Sequence, residues 1–124
     1  MNLSPPRSWS VRLTAAAETD FKHIVRWSAR QFGNAQARTY GKTLSLALEA
    51  LATGGPDIAG VRRRDDIAKG LMSLHVARGR RQGRHFVIFR VRRDGELGVI
   101  EVLRLLHDAM DLSRHVPPVG REDQ

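Results

Sequence analysis

The side chains in this chain that could act on a phosphodiester are one histidine, one glutamate and several arginines near an apolar run. His107 could serve as acid or base, Glu101 as a base, and Arg90 or Arg104 could hold a phosphate. Glu101 and Arg104 lie three positions apart in a strand-like run, so their side chains should point to opposite faces. Acid–base cleavage is therefore poorly supported. We interpret His107, next to Asp108, as a hydrogen-bonded structural residue.

A second set of candidate functional residues lies in the arginine-rich turn predicted at residues 77–84. Guanidinium groups bind phosphate and carboxylate through paired hydrogen bonds, which suits them to recognition without catalysis. The candidate target-binding residues are Arg78, Arg80, Arg81, Arg84, Arg90 and His107. Another run, at residues 62–64, could grip a phosphate, but Asp65 and Asp66 follow it. We interpret that run as a solvated loop that is half neutralised by its own aspartates.

Arg104 stands inside a run that is otherwise almost entirely apolar, at residues 99–106. Such a run predicts a central strand covered on both faces. A charge placed there needs a partner. Asp108 and Asp111 follow the strand directly, so we predict a structural clamp formed by Arg104, Asp108 and Asp111.

Composition limits the class of protein. The chain has 124 residues, 21 Lys and Arg against 13 Asp and Glu, a net charge of +8 and no cysteine. This describes one globular domain whose partners are polyanions or acidic proteins, and it excludes disulfides and thiolate metal sites. We expect neither a metal nor a cofactor. The sequence has no signal-peptide core and no membrane span, so we expect a cytoplasmic protein.

Hydrophobic periodicity predicts the elements that position these side chains. A strand at residues 9–13 precedes two antiparallel helices at 15–32 and 35–52, with Gly33 ending the first helix and Asn34 capping the second. A linker at 53–70 leads into a three-strand antiparallel meander at 71–76, 85–91 and 99–107. The expected α+β domain spans residues 9–115, between a flexible N-terminus (1–8) and a disordered tail (116–124).

The buried stripe expected on the first helix ends at Phe32. Its other members are Ala17, Phe21, Ile24, Val25 and Ser28. Trp27 lies beside this stripe. Its ring could cap the edge of the core or face a partner, and the sequence leaves both interpretations open.

The closing segment resembles a known family. Residues 104–111 read Arg-Leu-Leu-His-Asp-Ala-Met-Asp and are followed by Arg114-His115, which is similar to the last motif of the ParE branch of RelE/ParE toxins. Further segments also resemble that family: residues 11–14, the junction of Gly33 with Ala37 and Tyr40, and residues 70–71 together with 84–91. The matching segments occur in the family's order.

The resemblance implies a RelE/ParE-like fold and the toxin component of a type II toxin–antitoxin system. A ParE-like toxin would inhibit DNA gyrase, cause growth arrest, contribute to plasmid stabilisation and form a hetero-oligomer with a small antitoxin that carries an acidic binding segment. Two alternatives remain open. One is a RelE-like, ribosome-dependent mRNA endonuclease. The other is a non-toxic basic binding module of the same fold.

Overall fold

A computed structural model describes residues 8–115, and within them the chain forms a five-stranded sheet packed against a helical hairpin. The strand order is β1-β5-β4-β3-β2. The strands are β1 (Ser8–Leu13), β2 (Arg62–Arg63), β3 (Met72–His75), β4 (His85–Asp94) and β5 (Leu97–His107). The helices are α1 (Ala15–Phe32) and α2 (Asn34–Gly54), with short 3-10 helices at Gly55–Asp57 and Leu112–Arg114. The predicted α+β fold is confirmed.

The sequence predicted a flexible N-terminus at residues 1–8 and a disordered tail at residues 116–124. β1 already begins at Ser8, inside the segment expected to be flexible. Residues 1–7 and the predicted tail at 116–124 lie outside the described residues. Within residues 8–115, neither helix combines the length and the apolar content that crossing a bilayer requires.

β5 is an interior strand of the sheet, as its apolar run predicted. It pairs in parallel with β1, from Ser8↔Leu97 to Leu13↔Val102, and antiparallel with β4 on its other side. A β-bulge interrupts the second ladder, because Ile88 faces Arg104 while Phe89 faces Val102. Leu103 is therefore the extra residue, and the alternation of side chains along β5 shifts at this point.

The sheet has two unequal faces. The face covered by α1 and α2, here called the helical face, carries the main core. Its buried residues are Ala17, Leu44, Ala47, Leu51, Leu74, Val76, Val87, Phe89, Ile100, Val102 and Leu105. The opposite side, here called the open face, carries a smaller core of Leu71, Ile88, Leu103, Leu106 and Leu112. Ile67 and Ala68, from the loop at residues 64–71, pack against that smaller core.

The helical hairpin departs from expectation at its tip. Gly33, with φ of 92°, is both the last cap of α1, donating its N–H to the Ala29 carbonyl, and the first cap of α2. Since one residue serves both helices, Asn34 lies inside α2 and the prediction that it caps that helix is wrong. Phe32 was expected in the buried stripe, but its side chain is 64% exposed. As the last residue of α1 it packs edge-to-face on the exposed ring of Trp27, 5.8 Å away, and not on the core.

The predicted linker also contains structure. α2 continues to Gly54, and β2 pairs with β3 through Arg62↔Ser73 and Arg63↔Met72. The arginine run thus begins on an edge strand of the sheet, which the sequence did not indicate.

Candidate functional site

Three histidines meet at one end of the meander. β3 ends at His75, β4 begins at His85 and β5 ends at His107, and adjacent antiparallel strands place these three ends side by side. Tyr40 of α2 reaches the same place, as do Arg84 and Asp108. We call these six residues the histidine cluster: Tyr40, His75, Arg84, His85, His107 and Asp108.

Tyr40 is the hydrogen-bond partner of His85. The Arg84 backbone N–H donates to the Tyr40 hydroxyl at 2.9 Å, and that hydroxyl lies 2.7 Å from His85 Nδ1. With the ring proton on Nε2, His85 Nδ1 can accept the hydrogen of this hydroxyl. Burial, followed by repulsion from His107, lowers the pKa of His85 to about 4. His85 is thus a neutral imidazole at pH 7, and burial raises the pKa of Tyr40.

Asp108 holds the outer part of the histidine cluster together. His75 Nδ1 accepts the Ala77 N–H at 3.0 Å, so the proton of this ring is on Nε2, which donates to Asp108 at 3.0 Å. Arg84 Nε donates to both Asp108 oxygens, at 3.0 and 3.2 Å. The hydrogen bond from His75, with help from Arg84, lowers the pKa of Asp108. The carboxylate stays ionised at neutral pH and fixes one histidine and one arginine.

His107 has a side chain that is partly exposed to solvent. Its side chain is 40% exposed, its Nδ1 accepts the Ala109 N–H at 3.1 Å, and its ring meets that of His85 edge-to-face at 5.3 Å. Asp108 lies 3.7 Å from the same Nδ1, which is too far for a good hydrogen bond. The backbone donor therefore orients the ring, with Nε2 left for contacts outside the domain.

The arginine-rich turn is anchored to the domain. Arg78 donates to the Ala59 carbonyl at 2.6 Å, and Arg81 donates to the buried Thr43 hydroxyl at 3.0 Å. Arg80 is exposed. Since Arg84 holds Asp108, three of the four arginines have an internal role besides any external one.

Arg90 belongs to a different region. Its Nε donates to Glu101 at 2.7 Å across the β4–β5 ladder. Glu101 lies six strand positions from His107, which corresponds to about 20 Å. The structure therefore does not bring Arg90 and Glu101 together with His107.

Arg104 has a partner that the sequence did not suggest. Its guanidinium forms two hydrogen bonds with Asp20 of α1, at 2.7 and 3.0 Å, and a third with the His115 carbonyl. The prediction that Asp108 or Asp111 pairs with Arg104 is wrong, because α1 starts beside β5 just where β1 ends. Asp111 instead caps the 3-10 helix at Leu112–Arg114 by accepting the Ser113 N–H.

Asp20 also completes the hydrogen bonding of β5. Beyond Val102, the edge of β5 has lost β1, and Thr14 donates its N–H to the Val102 carbonyl and its hydroxyl to the Leu103 carbonyl. The Leu105 N–H then donates to the Asp20 carboxylate at 2.9 Å. Thr14 and the start of α1 thus supply the hydrogen-bond partners that a neighbouring strand would otherwise give this part of β5.

Sequence reasoning missed Tyr40, His75, His85 and Asp20. The three histidines carried a usable signal, since each stands at or next to the end of a predicted meander strand. Tyr40 lies in the second predicted helix, and nothing in its spacing indicated a hydroxyl aimed at His85. Chemically, the histidine cluster offers one exposed imidazole beside one exposed guanidinium. Within residues 8–115, no group of three or more histidine and carboxylate side chains has the geometry to hold a metal ion.

Comparison with known proteins identifies the family. The family described as the ParE toxin of the type II toxin–antitoxin system parDE matches residues 11–112. Toxin ParE of Escherichia coli is 35% identical over 101 residues, which cover 81% of this chain and 85% of that protein.

Solved structures agree on the fold. A chain of the chromosomal ParDE toxin–antitoxin system from P. aeruginosa superposes with a TM-score of 0.61 at 19% identity, covering 80% of this chain and 95% of that one. A YoeB/ParE toxin from Agrobacterium tumefaciens gives a TM-score of 0.54 at 16% identity, covering 79% and 96%. The family match runs from β1 to the 3-10 helix after β5, through the whole described domain apart from its outermost residues. This chain therefore belongs to the ParE toxin family of type II toxin–antitoxin systems.

Proposed function

We propose that this chain is a toxin that inhibits DNA gyrase and is neutralised by a cognate antitoxin. The observation that carries the proposal is the family match over residues 11–112. The geometry is in keeping with a toxin that acts by contact: Glu101 is bound to Arg90, Arg104 is bound to Asp20, and neither pair reaches His107. A gyrase inhibitor needs surfaces that bind, and it needs no acid–base pair.

The direct test is a DNA supercoiling assay with purified gyrase and the purified chain. We expect inhibition that the His107→Ala variant retains in proportion to its folded fraction. Arg80→Ala is the variant that probes the arginine-rich turn cleanly, because Arg81 and Arg84 also hold the fold. It should weaken inhibition with an unchanged melting temperature. Full supercoiling activity at saturating toxin contradicts the proposal.

The antitoxin half of the proposal has its own test. A net charge of +8 favours an extended acidic segment that folds as it binds. We expect one antitoxin chain per toxin chain and an association rate that falls as salt rises, because steering between exposed charges is screened. An association rate independent of salt contradicts the electrostatic argument.

A second candidate function is cleavage of ribosome-bound mRNA, which the histidine cluster favours. An exposed imidazole at His107 lies near the Arg84 guanidinium, and such a pair supplies an acid or base and a phosphate-binding cation. General acid–base groups contribute about 10²–10⁴-fold in rate, so message cleavage that disappears in His107→Ala would establish this function and exclude the contact-only one. Induced expression without growth arrest would instead support a non-toxic binding module.

A further inference from the structure

We infer that the open face of the sheet binds a single-stranded nucleic acid in a groove beside the edge strand β2. The groove shares His75 with the histidine cluster, but neither His107 nor Arg84 lines it, and the inference does not depend on gyrase inhibition. The groove has a volume of about 540 Å³ and is lined by Gly60, Arg62, Arg63, Arg64, Ser73, His75 and Phe86.

The pairing of β2 aims Arg62 into this groove. Directly opposed residues of an antiparallel ladder share a face, and Arg62 is opposed by Ser73, which is in turn opposed by Ile88 of the open-face core. His75 and Phe86 form the next opposed pair on that face. The exposed guanidinium of Arg62 therefore lies on the same face of the sheet as the rings of His75 and Phe86.

The neighbouring arginines are held in place by their own aspartates. Arg64 forms two hydrogen bonds with Asp66, both at 3.1 Å, and Arg63 donates to Asp65 at 3.3 Å. Asp65 is itself fixed by the Gly70 N–H at 2.7 Å, the main cause of its lowered pKa. Among residues 8–115, Arg62 has no carboxylate within ion-pair distance. The aspartates thus position two arginines and leave the charge of the third for a ligand.

The lining chemistry fits a nucleotide strand better than an acidic peptide. Guanidinium groups recognise phosphate through paired hydrogen bonds, and an aromatic ring beside them offers a surface on which a base can stack. Phe86 supplies that ring, and its edge-to-face contact with His75, with centroids 4.9 Å apart, fixes its plane. An acidic peptide would use the guanidinium groups and leave the aromatic wall without a role.

The test is fluorescence anisotropy of the full chain with labelled twelve-nucleotide oligo-dT and oligo-U at 50 mM salt. We expect binding whose logarithmic salt slope is about −0.7, the value for the one phosphate contact on a single strand that Arg62 supplies. Arg62→Gln should weaken affinity roughly tenfold, because it removes a charge-assisted hydrogen bond. Preference for one oligonucleotide identifies DNA or RNA as the natural source of the strand.

Matched variants separate the groove from the general positive field. Arg26→Gln makes the same change of charge on an exposed position of α1, and we expect its affinity to stay within about twofold of the parent. Phe86→Leu retains an apolar side chain but removes the ring, and should cost about fivefold or more. Thermal melts establish that each variant is folded.

Three results would overturn the inference. The first is no binding of either oligonucleotide at 50 mM salt. The second is an equal loss of affinity in Arg62→Gln and Arg26→Gln, which would reduce the binding to the field of the whole chain. The third is displacement of the oligonucleotide by an oligoglutamate peptide at lower concentration than by unlabelled oligonucleotide, which would assign the groove to an acidic protein.

Discussion

The helical face and the open face of the sheet are made by the same strands, yet they are covered very differently. Two helices lie on the helical face and bury a continuous core that includes Leu44, Leu51 and Phe89. The open face has a loop and a 3-10 helix over one part, where Leu112 packs on the smaller core. The polar side chains Arg62 and His75 occupy the same face beside that core.

The difference separates two tasks. Buried apolar area supplies most of the free energy of folding, so stability should be concentrated on the helical face. The open face, with fewer buried groups, can present cations and rings to a ligand at little cost to the fold. The following predictions test this division, from the largest expected effect to the smallest.

The largest effect should come from the main core. Phe89 is completely buried, and Phe89→Ala should lower the free energy of unfolding by about 3–5 kcal/mol, because it removes a ring and leaves a cavity. Leu112→Ala on the open face should cost about 2 kcal/mol. Urea unfolding followed by circular dichroism measures both. A loss for Leu112→Ala as large as that for Phe89→Ala would remove the distinction between the two faces.

A smaller effect is expected where the two faces are joined. Arg104 links Asp20, on the helical side, to the His115 carbonyl beyond the smaller core. Asp20→Ala should cost about 2–3 kcal/mol, since it strands a half-buried guanidinium and frees the Leu105 N–H. The same urea titrations provide the measurement.

Two variants control this prediction. Asp111→Ala, which loses one cap of a 3-10 helix, should cost at most about 1 kcal/mol. Adding Arg104→Leu to Asp20→Ala should recover part of the loss, because no charge is then left without a partner. A double variant less stable than Asp20→Ala alone would disprove the role assigned to this pair.

The smallest effect is a pH dependence from the helical side of the histidine cluster. His85 titrates near 6.5 when unfolded and at about 4 when folded, so between these values the unfolded chain binds the extra proton. Stability from this group is complete above pH 6.5 and is lost as pH falls toward 4. Because the ring is partly exposed, we expect a loss of about 1–2 kcal/mol over that window.

Unfolding titrations of two variants at pH 7 and pH 5 isolate the contribution of His85 to the pH dependence of stability. His85→Gln should flatten the dependence, and His23→Gln, at an exposed position of α1, should keep it. The carboxylates contribute equally to both variants and cancel in the comparison. An NMR titration that finds the His85 pKa near 6.5 would contradict the network built on Tyr40.

The sequence predicted most of the fold because the helices and the meander can be recognised locally, from the spacing of apolar residues and from turn residues. It identified β5 as an interior strand from its apolar run. It could not give the partner of Arg104, since spacing favours the nearby Asp108 and Asp111 over Asp20, which lies more than 80 positions earlier. The bulge at Leu103 and the pairing of β2 were equally hidden, because both depend on register between segments. His75, His85 and His107 could have been grouped from the meander alone.

The parallel pairing of β1 with β5 determines when the sheet can form during translation. The ribosome completes β1 at Leu13 and begins β5 at Leu97, roughly 80 residues later. At about 5–20 residues per second, β1 waits roughly 4–17 seconds for its partner, while α1 and α2 are already made. The sheet cannot close before then, and such distant pairing is slow to form. A protein that captures the nascent chain during this interval meets the helical hairpin first and the finished sheet only afterwards.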